Sequence, residues 1–201
     1  MKDYAIFYSY KGIGDVLIIT FDNSLPATRE ERIGNIVVVY NKDQIIGYNI
    51  FDIKDIIKIK SKGLIYYPSE QFLNVINSML TNAKLPTLEK KENSGYFIGE
   101  IKDVTFVTEE KALISIYDGN KKYFAIVKTD MLKKGNKIVF AKVGTCLNNG
   151  TVVKEGNIEG KPLNAHICSN RELGINEDDR ILVLEDEDKI GTDFFSLEES
   201  L

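Results

Sequence analysis

Histidine and cysteine are scarce in this sequence: its 201 residues include one histidine, His166, and two cysteines, Cys146 and Cys168. A structural zinc site needs four ligands, and His166 with Cys168 supplies only two. Without a second histidine, neither Cys168 nor Ser169 has an evident base that could activate it as a nucleophile. The sequence therefore predicts no metal ligands, no cofactor and no catalytic residues, and so a protein that is not an enzyme.

Long apolar runs are absent as well. No stretch approaches the roughly 18 consecutive apolar residues that a membrane helix needs. The N-terminal segment lacks an apolar core followed by a small-residue cleavage site. Two cysteines without CxxC spacing suit a compartment in which thiols stay reduced. We therefore expect a cytoplasmic protein with no membrane partner.

Charge is segregated along a chain whose net charge is only −4. Residues 120–161 hold nine lysines against three acidic residues, a local charge of +6, whereas residues 176–201 hold ten acidic residues against two cations, a local charge of −8. Screening confines the field of each patch to about 8–10 Å, so the basic block can still attract phosphates. Lysines on strand edges also protect against aggregation, and both explanations stay open.

The first 92 residues predict several strands followed by one helix, which we interpret as a small N-terminal α/β (α+β) domain over residues 1–92. Ser69 is a candidate N-cap of the helix, and Pro86 forbids its continuation. The predicted strands are Asp3–Tyr10, Val16–Phe21, Asn35–Tyr40 and Gln44–Phe51. The apolar stripe of the helix consists of Phe72, Val75, Ile76, Met79 and Leu80.

A glycine-rich loop, Lys11–Asp15, lies between the first two predicted strands. It lacks the Gly-Lys-Ser/Thr ending of a phosphate-binding P-loop, and the segment after it is predicted as a strand, so no helix N-terminus faces it. A tight turn between two strands is the favoured interpretation. An enzyme in the N-terminal domain, with Lys11 and Asp15 in its pocket, is the alternative.

The second half of the chain follows a polar segment, Leu88–Ser94, whose lack of apolar periodicity is typical of a linker. Ser169 and Glu172 have the spacing of a capping box, which predicts a short helix. Short strands with turn signals every 8–12 residues, together with this helix, are typical of an OB-fold β-barrel. We expect that domain over residues 95–195, an acidic tail at 196–201, and an α+β, mostly β protein overall. The predicted strands are Tyr96–Val104, Ala112–Tyr117, Lys122–Val127, Lys137–Val143 and Ile181–Leu184, with a shorter extended segment at Thr151–Val153.

The second half also carries motifs of a known family. Upstream, Gly135–Gly144 resembles the pattern Gly-x-Lys-Val-Val-x-Ala-x-x-Gly, and downstream Ile181–Leu184 and Gly191-x-Asp193 also fit. Between them, seven positions match the pattern Gly-x-Pro-Ser-x-Gly-Met-x-Cys-Ser-x-x-Glu-Leu-Gly: Gly160, Pro162, Cys168, Ser169, Glu172, Leu173 and Gly174. These segments resemble the tRNA-binding domain of bacterial phenylalanyl-tRNA synthetase β chains, some methionyl-tRNA synthetases and EMAP-type cytokine precursors.

The first half extends the resemblance to the whole chain. Phe7-Tyr8, Gly14–Leu17 and Gly47–Phe51 look like the small domain that precedes this module in YtpR-type proteins, which are stand-alone chains of about this length. The resemblance implies a C-terminal OB barrel that binds tRNA or other structured RNA without catalysis. It leaves open the role of the small domain and whether the chain forms a homodimer.

Three segments depart from the family pattern. His-Pro ahead of the second strand is Val107-Thr108 here, Cys-Gly-Ala-x-Asn after the third strand is Val127–Met131, and Gly-Met before the cysteine is Ala165-His166. The resemblance places the last two on the RNA-facing surface. One interpretation is RNA binding with altered contacts, in which Lys128 compensates electrostatically. The other is a protein-interaction scaffold whose OB domain has lost RNA binding.

The predicted RNA contacts fall into two groups. Lysines would neutralise phosphates, and polar side chains of residues 163–171 would reach 2′-hydroxyls or bases. OB folds often stack bases on exposed aromatic rings, and since Tyr123 and Phe124 alternate faces, one of them could serve while the other is core. For Ser169, reciprocal capping with Glu172 is the alternative explanation. The predicted residues are Lys122, Lys128 and Lys142 for phosphates, and Asn164, His166, Ser169 and Arg171 for 2′-hydroxyls or bases.

We predict that limited proteolysis cuts between Lys84 and Gly95 before any other site except the C-terminal tail, because nothing in the sequence ties this segment down. Thermal unfolding of the separated fragments should show that each keeps a cooperative fold. A protected segment, or the collapse of either fragment on separation, would mean a single integrated domain.

Overall fold

Strands make up most of the regular structure in the computed structural model, as the sequence predicts. The structure describes residues 3–60, 62–128, 132–158 and 160–196. These residues form two compact units, one up to residue 92 and one from residue 93 onward. Apart from Ser196, the predicted acidic tail at 196–201 lies outside the described residues.

The first unit contains β1 (Ala5–Tyr8), α1 (Tyr10–Ile13), β2 (Val16–Thr20), β3 (Arg29–Ile33), β4 (Ile36–Asn41), β5 (Gln44–Phe51), a 3-10 turn (Ile53–Asp55), β6 (Gly63–Leu64) and α2 (Glu70–Asn82). Its strands form one antiparallel sheet in the order β3-β4-β5-β2-β1-β6. Side chains alternate between the two faces, so that Leu17 and Ile19 of β2 are fully buried between half-exposed neighbours. Their face packs into one core with α2.

The helix α2 begins where the sequence predicts, but its buried stripe differs from the predicted one, because Leu73 is buried and the predicted Val75 and Met79 are only partly buried. The Ser69 hydroxyl accepts a hydrogen bond from the N–H of Phe72 at 3.2 Å, which satisfies one of the free donors at the helix start. The buried stripe consists of Phe72, Leu73, Ile76 and Leu80. The helix ends at Asn82, ahead of Pro86.

Two features of the first unit differ from the sequence-based expectation. The loop at Lys11–Asp15 is not a tight turn, because Tyr10–Ile13 forms one helical turn that ends at Gly14 with a φ of 86°. Strand β3 was not expected, since its sequence Arg-Glu-Glu-Arg-Ile has neither alternation nor high strand propensity. It forms at the sheet edge, where four of its five residues are exposed and charged side chains discourage pairing with another chain.

The second unit contains β7 (Tyr96–Thr108), β8 (Lys111–Tyr117), β9 (Lys122–Lys128), β10 (Lys137–Lys142), β11 (Gly156–Ile158), β12 (Lys161–Leu163), β13 (Ala165–Ile167) and β14 (Val183–Leu184). Five of these strands follow one another in the order β13-β10-β7-β8-β9, with β14 also paired to β10. Strands β11 and β12 form a separate hairpin. The core contains Ile101, Ile114, Ile116, Ile138 and Phe140.

Backbone pairing among the described strands leaves this sheet open between its two ends, β9 and β13, so it does not close into a barrel by strand pairing. The ends are nevertheless linked by Asn164, which directly precedes β13. Its N–H donates to the carbonyl of Phe124 at 3.0 Å, and its Oδ1 accepts from the N–H of Phe124 at 2.8 Å. One side chain therefore completes a pair of hydrogen bonds that two strands would otherwise share.

Three local predictions for the second unit need correction. The segment Thr151–Val153 forms an isolated bridge, from Val152 to Cys146, instead of a strand. Flanking hydrogen bonds run from the Val153 N–H to the Thr145 carbonyl at 2.9 Å and from the Leu147 N–H to the Thr151 carbonyl at 2.7 Å. The capping box at Ser169 starts a hydrogen-bonded turn rather than a helix. Strands β11, β12 and β13 were missed, since three-residue strands are too short for periodicity to detect.

The segment predicted as a linker is held at both ends. Leu88 is 4% exposed. Its N–H donates to Oδ1 of Asn77 on α2, and its carbonyl accepts from Nδ2 of the same Asn77 amide, both at 2.8 Å. At the other end, Ser94 donates from its N–H and its hydroxyl to the carboxylate of Asp193 at 2.6 and 2.5 Å. The Tyr4 hydroxyl also donates to the Glu89 carbonyl at 2.7 Å and the Tyr67 hydroxyl to the Lys91 carbonyl at 3.3 Å, so the segment is bonded to the first unit as far as Lys91. Ser94 belongs to the second unit, which leaves Glu92 and Asn93 at the boundary.

We predict that Asn77→Ala lowers the free energy of unfolding of the first unit by about 1–3 kcal/mol, because two backbone groups of Leu88 lose their partners. Urea denaturation measures the loss, and proteolysis after Leu85 should become faster. The matched control is Asn74→Ala, an exposed position on the same helix, which should change stability by less than about 0.5 kcal/mol. Equal stability of the two variants would show that the Asn77 amide does not anchor the segment.

Candidate nucleic-acid interface

Strand β9 presents two different faces. Tyr123 is 3% exposed and packs in the core, whereas Phe124 is half-buried on the opposite face. The sequence-based prediction that these two aromatic residues face opposite sides is confirmed. Lys122 and Lys128 lie at the two ends of β9 on the same face as Phe124, and both are exposed. This outer face therefore combines one aromatic ring with two positive charges that form no ion pair with the residues that the structure describes.

A groove with a volume of about 190 Å³ lies beside Phe124. Its other lining residues come from β7, β8 and β12: Asp103, Thr105, Leu113, Ser115, Lys161 and Pro162. A register shift between Ile101 and Asp103 explains the contribution of β7, because it turns Asp103 away from the core face that Ile101 occupies. The Thr105 hydroxyl donates to the Asp103 carboxylate at 3.1 Å. The groove thus has an apolar floor with hydroxyl and carboxylate groups at its side.

Sequence reasoning did not find this groove. Leu113 and Ser115 alternate along β8 with the core residues Ala112, Ile114 and Ile116, a signal that was available. The register shift in β7 and the position of Lys161 and Pro162 depend on tertiary packing, and no local pattern indicates them.

Lys142 does not join the two lysines of β9. Its ammonium lies 3.6 Å from the centre of the Phe97 ring and 3.4 Å from Oδ2 of Asp118, on the core side of the sheet with Tyr123. Stacking on an aromatic face and pairing with a carboxylate are both favourable for a partly desolvated ammonium. Lys142 therefore closes one end of the core instead of standing free for a phosphate.

Asp118 is ionised despite its burial. Burial alone would raise its pKa, but the N–H groups of Lys121 and Asn120, at 2.9 and 3.0 Å, together with Tyr123 and Lys142, outweigh burial and hold the pKa below its usual value. Burial also raises the pKa of Tyr123 to about 12, so its hydroxyl stays neutral. The turn before β9 is thus fixed by a buried carboxylate.

Asn164 and Ser169, which the sequence predicts as RNA contacts, form hydrogen bonds within the protein. Asn164 bonds the backbone of Phe124, as described above. Ser169 is 8% exposed, and the carboxylate of Glu172 accepts from its N–H at 2.9 Å and from its hydroxyl at 3.1 Å. The reciprocal bond from the Glu172 N–H to the Ser169 hydroxyl is 3.3 Å, which completes the predicted capping box.

His166 is linked to the same capping box. Its Nε2 lies 2.9 Å from Oε1 of Glu172, a hydrogen bond in which the histidine donates when Nε2 carries the proton, and its side chain is 39% exposed. Burial alone would raise the pKa of Glu172, but the bonds from His166 and Ser169 outweigh burial and lower it. His166 therefore combines an internal bond with an accessible ring.

Arg171 pairs with the acidic segment that follows it. Its Nε donates to Asp179 at 2.9 Å, and its guanidinium also contacts Glu177. Further along, the carbonyl groups of Asp186 and Asp188 accept hydrogen bonds from the ammonium of Lys137. The acidic segment thus folds back on cations of the second unit instead of extending away from them.

The structure also bears on two other classes of site. No helix among the described residues is long and apolar enough to cross a membrane. No cluster of three or more histidine, cysteine or carboxylate residues that could hold a metal ion occurs within the same residues.

In the first unit, the carboxylate of Asp15 accepts from the Tyr8 hydroxyl and the Lys54 N–H, both at 3.1 Å, so it fixes the loop conformation.

Comparisons with known proteins relate parts of the chain, and the chain as a whole, to described sequences. A family model described as a domain of unknown function, DUF4479, matches residues 26–88. YtpR of Bacillus subtilis, described as a putative tRNA-binding protein, is 28% identical over 200 residues, which cover 94% of this chain and 98% of that protein. The chain is therefore a homologue of YtpR, as the sequence resemblance indicates.

A tRNA ligase subunit and a tRNA-ligase-related protein resemble this chain over shorter segments. The phenylalanine–tRNA ligase β subunit of Nitratidesulfovibrio vulgaris is 43% identical over 58 residues, which cover 28% of this chain and only 7% of that subunit. Among solved structures, a MetRS related protein from Pyrococcus horikoshii has a TM-score of 0.34 at 15% identity, covering 48% of this chain and 84% of that one.

We predict that Glu172→Gln lowers the free energy of unfolding at neutral pH by about 1–3 kcal/mol, because the amide cannot replace both charge-assisted bonds. The folded-state pKa of Glu172 is lowered, so its contribution is complete above the ordinary value of 4.5 and is lost as the pH falls through the lowered value. The variant should therefore lose less stability than the parent as the pH falls below 4.5. Urea denaturation at a series of pH values measures this difference.

The matched control for Glu172→Gln is Glu177→Gln, whose side chain is 97% exposed. That control should follow the pH dependence of the parent protein. Identical acid profiles for the parent and Glu172→Gln would contradict the assignment of an ionised, stabilising carboxylate.

Proposed function

We propose that this chain binds tRNA or another structured RNA in the cytoplasm without catalysing a reaction. The observation that carries the proposal is the outer face of β9, where Phe124 lies between the exposed Lys122 and Lys128 and borders a groove. Cations supply affinity for phosphates, and an aromatic ring offers a surface on which a base can stack. The description of YtpR as a putative tRNA-binding protein, and the similarity to a phenylalanine–tRNA ligase subunit, support RNA as the ligand.

The second unit is best interpreted as an OB-type barrel. Five strands in the order β13-β10-β7-β8-β9, with the ends linked through Asn164, would give the five-stranded and partly open barrel of that fold. In OB folds the second and third strands carry the ligand face. Here those strands are β8 and β9, the strands that carry the groove and Phe124.

Charge orients the ligand on this face. Lys122, Lys128 and Lys161 would neutralise backbone phosphates around the groove, whereas the carboxylate of Asp103 would repel a phosphate from its interior. A base can therefore enter and stack on Phe124 while the backbone stays outside. The hydroxyl groups of the groove can then pair with base edges or 2′-hydroxyls, which distinguishes RNA from DNA.

The other predicted contact residues take different roles in this proposal. His166 keeps an accessible ring and remains a candidate contact to a base or 2′-hydroxyl. Lys142, Asn164 and Ser169 position the face through internal bonds. Arg171 would have to release Glu177 and Asp179 before it could bind a phosphate.

We predict that Lys122→Gln/Lys128→Gln reduces the slope of log K against log salt for binding to bulk tRNA. Each neutralised phosphate contributes about 0.7 to 0.9 to this slope, so the double variant should lose roughly 1.4 to 1.8. Phe124→Ala should weaken binding on the order of tenfold with the slope unchanged, because stacking carries no charge. Fluorescence anisotropy over a salt series measures both effects.

The matched control is Lys154→Gln/Lys189→Gln, which removes two exposed lysines of the same unit outside β7, β8 and β9. It should keep the slope of the parent protein. If the parent shows no salt-dependent binding to tRNA at low ionic strength, the RNA proposal is wrong. A protein-interaction scaffold would then be the leading interpretation.

A further inference from the structure

Exposed apolar side chains cluster at one end of the first sheet. Tyr10 and Ile13 are 53% and 50% exposed and lie one helical turn apart in α1, so they share a side of that turn. Ile56 is 48% exposed and directly follows the 3-10 turn Ile53–Asp55. These are three of only seven large apolar residues with comparable exposure in the described parts of the chain, and they have no role in the core.

The chain topology brings residues 54–60 and Lys62 to the same end. The segment begins at Lys54, whose N–H donates to the carboxylate of Asp15 just after α1. It ends where Gly63 pairs with Tyr8, two residues before α1 starts. Both ends of the segment are therefore fixed beside α1.

This segment carries a row of lysines. Ile57 and Ile59 pack against the core, so the intervening Lys58 and Lys60 point outward, and Lys62 is exposed as well. Alternate residues of an extended chain are about 6–7 Å apart, close to the distance between successive phosphates of one strand. Within the described residues, none of these three lysines forms an ion pair.

The row continues toward an aromatic ring. The ammonium of Lys54 lies 5.3 Å from the centre of the Tyr10 ring, and Lys11 belongs to the same helical turn as Tyr10. This end of the sheet carries five lysines and three carboxylates. The lysines are Lys11, Lys54, Lys58, Lys60 and Lys62, and the carboxylates are those of Asp15, Asp52 and Asp55. All three carboxylates lie near the start of the segment, and residues 56–62 contain none.

We infer that this surface, the Tyr10 patch (Tyr10, Ile13, Lys54, Ile56, Lys58, Lys60 and Lys62), is a second RNA-contacting surface on the first unit. The inference rests on the proposed function and extends it to the unit that carries the domain of unknown function. The lysine row binds consecutive phosphates, and the Tyr10 ring stacks on an unpaired base. Ile13 and Ile56 contact the apolar faces of sugars and bases.

Charge distribution favours RNA over an anionic membrane as the occupant. A membrane surface attracts a broad basic face, whereas three carboxylates interrupt this one near Tyr10. A narrow row of cations beside one ring fits a single phosphate backbone with one base turned toward the protein. The patch therefore has the shape and charge of a strand-binding surface.

The test is a salt titration of bulk tRNA binding to the full chain. We expect Lys58→Gln/Lys60→Gln to reduce the slope of log K against log salt by roughly 1.4 to 1.8. Tyr10→Ala should weaken binding on the order of tenfold with the slope unchanged. The matched control is Arg29→Gln/Arg32→Gln, which removes the same charge from β3 at the opposite edge of the sheet and should leave the slope intact. Thermal unfolding of each variant verifies the fold.

The outcomes separate this inference from the proposed function. If Lys122→Gln/Lys128→Gln weakens binding and the Tyr10-patch variants bind like the parent, the patch inference is wrong and the function stands. If only the patch variants weaken binding, the inference holds and the β9 face is not the site. Absence of tRNA binding by the parent overturns both. Binding to vesicles of anionic lipid that the patch variants abolish, with tRNA binding unchanged, would assign the patch to membranes instead.

Discussion

One asparagine joins the two ends of the second sheet. Asn164 bonds both backbone groups of Phe124, so it replaces the strand pairing that β9 and β13 lack. Because side chains alternate along a strand and β9 pairs with β8 along its whole length, Lys122 and Lys128 face outward while Tyr123 faces the core, and Asn164 holds the other edge of β9 at Phe124. The same contact holds the chain just after β12, which brings Lys161 to the edge of the groove. This amide therefore fixes the edge of the candidate interface between Phe124 and β12.

Local pairing decides which of the many lysines can meet a ligand. The acidic segment after β13 occupies Arg171 through Glu177 and Asp179, and its backbone carbonyls occupy Lys137. Lys142 is committed to Asp118 and the Phe97 ring. A chain with a net charge of −4 can therefore still present a basic face, because described acidic residues after β13 pair with Arg171 and Arg180, and no ion pair joins Lys122 or Lys128 to a described carboxylate.

Local patterns predicted much of the framework and part of the site. The helix at Glu70–Asn82 follows from its N-cap and apolar stripe, and the opposite faces of Tyr123 and Phe124 follow from strand periodicity. Strand β3 was missed because its stability comes from its neighbour β4 and not from its own charged sequence. The internal contacts of Lys142, for which the sequence indicates a phosphate contact, were not predicted, since neither the ring nor the carboxylate that it contacts is near it in sequence. The groove depends on a register shift that no sequence pattern encodes.

The burial of Cys168 has a consequence for the chemistry of the chain. Its side chain is inaccessible, its N–H is bonded to the Val139 carbonyl of β10 at 3.0 Å, and burial raises the pKa of the thiol well above its usual value. Oxidants and alkylating reagents attack the thiolate, so they cannot modify this sulfur while the sheet is intact. The rate at which Cys168 is alkylated therefore measures how often the sheet around β10 opens. A ligand that rigidifies the second unit lowers this rate.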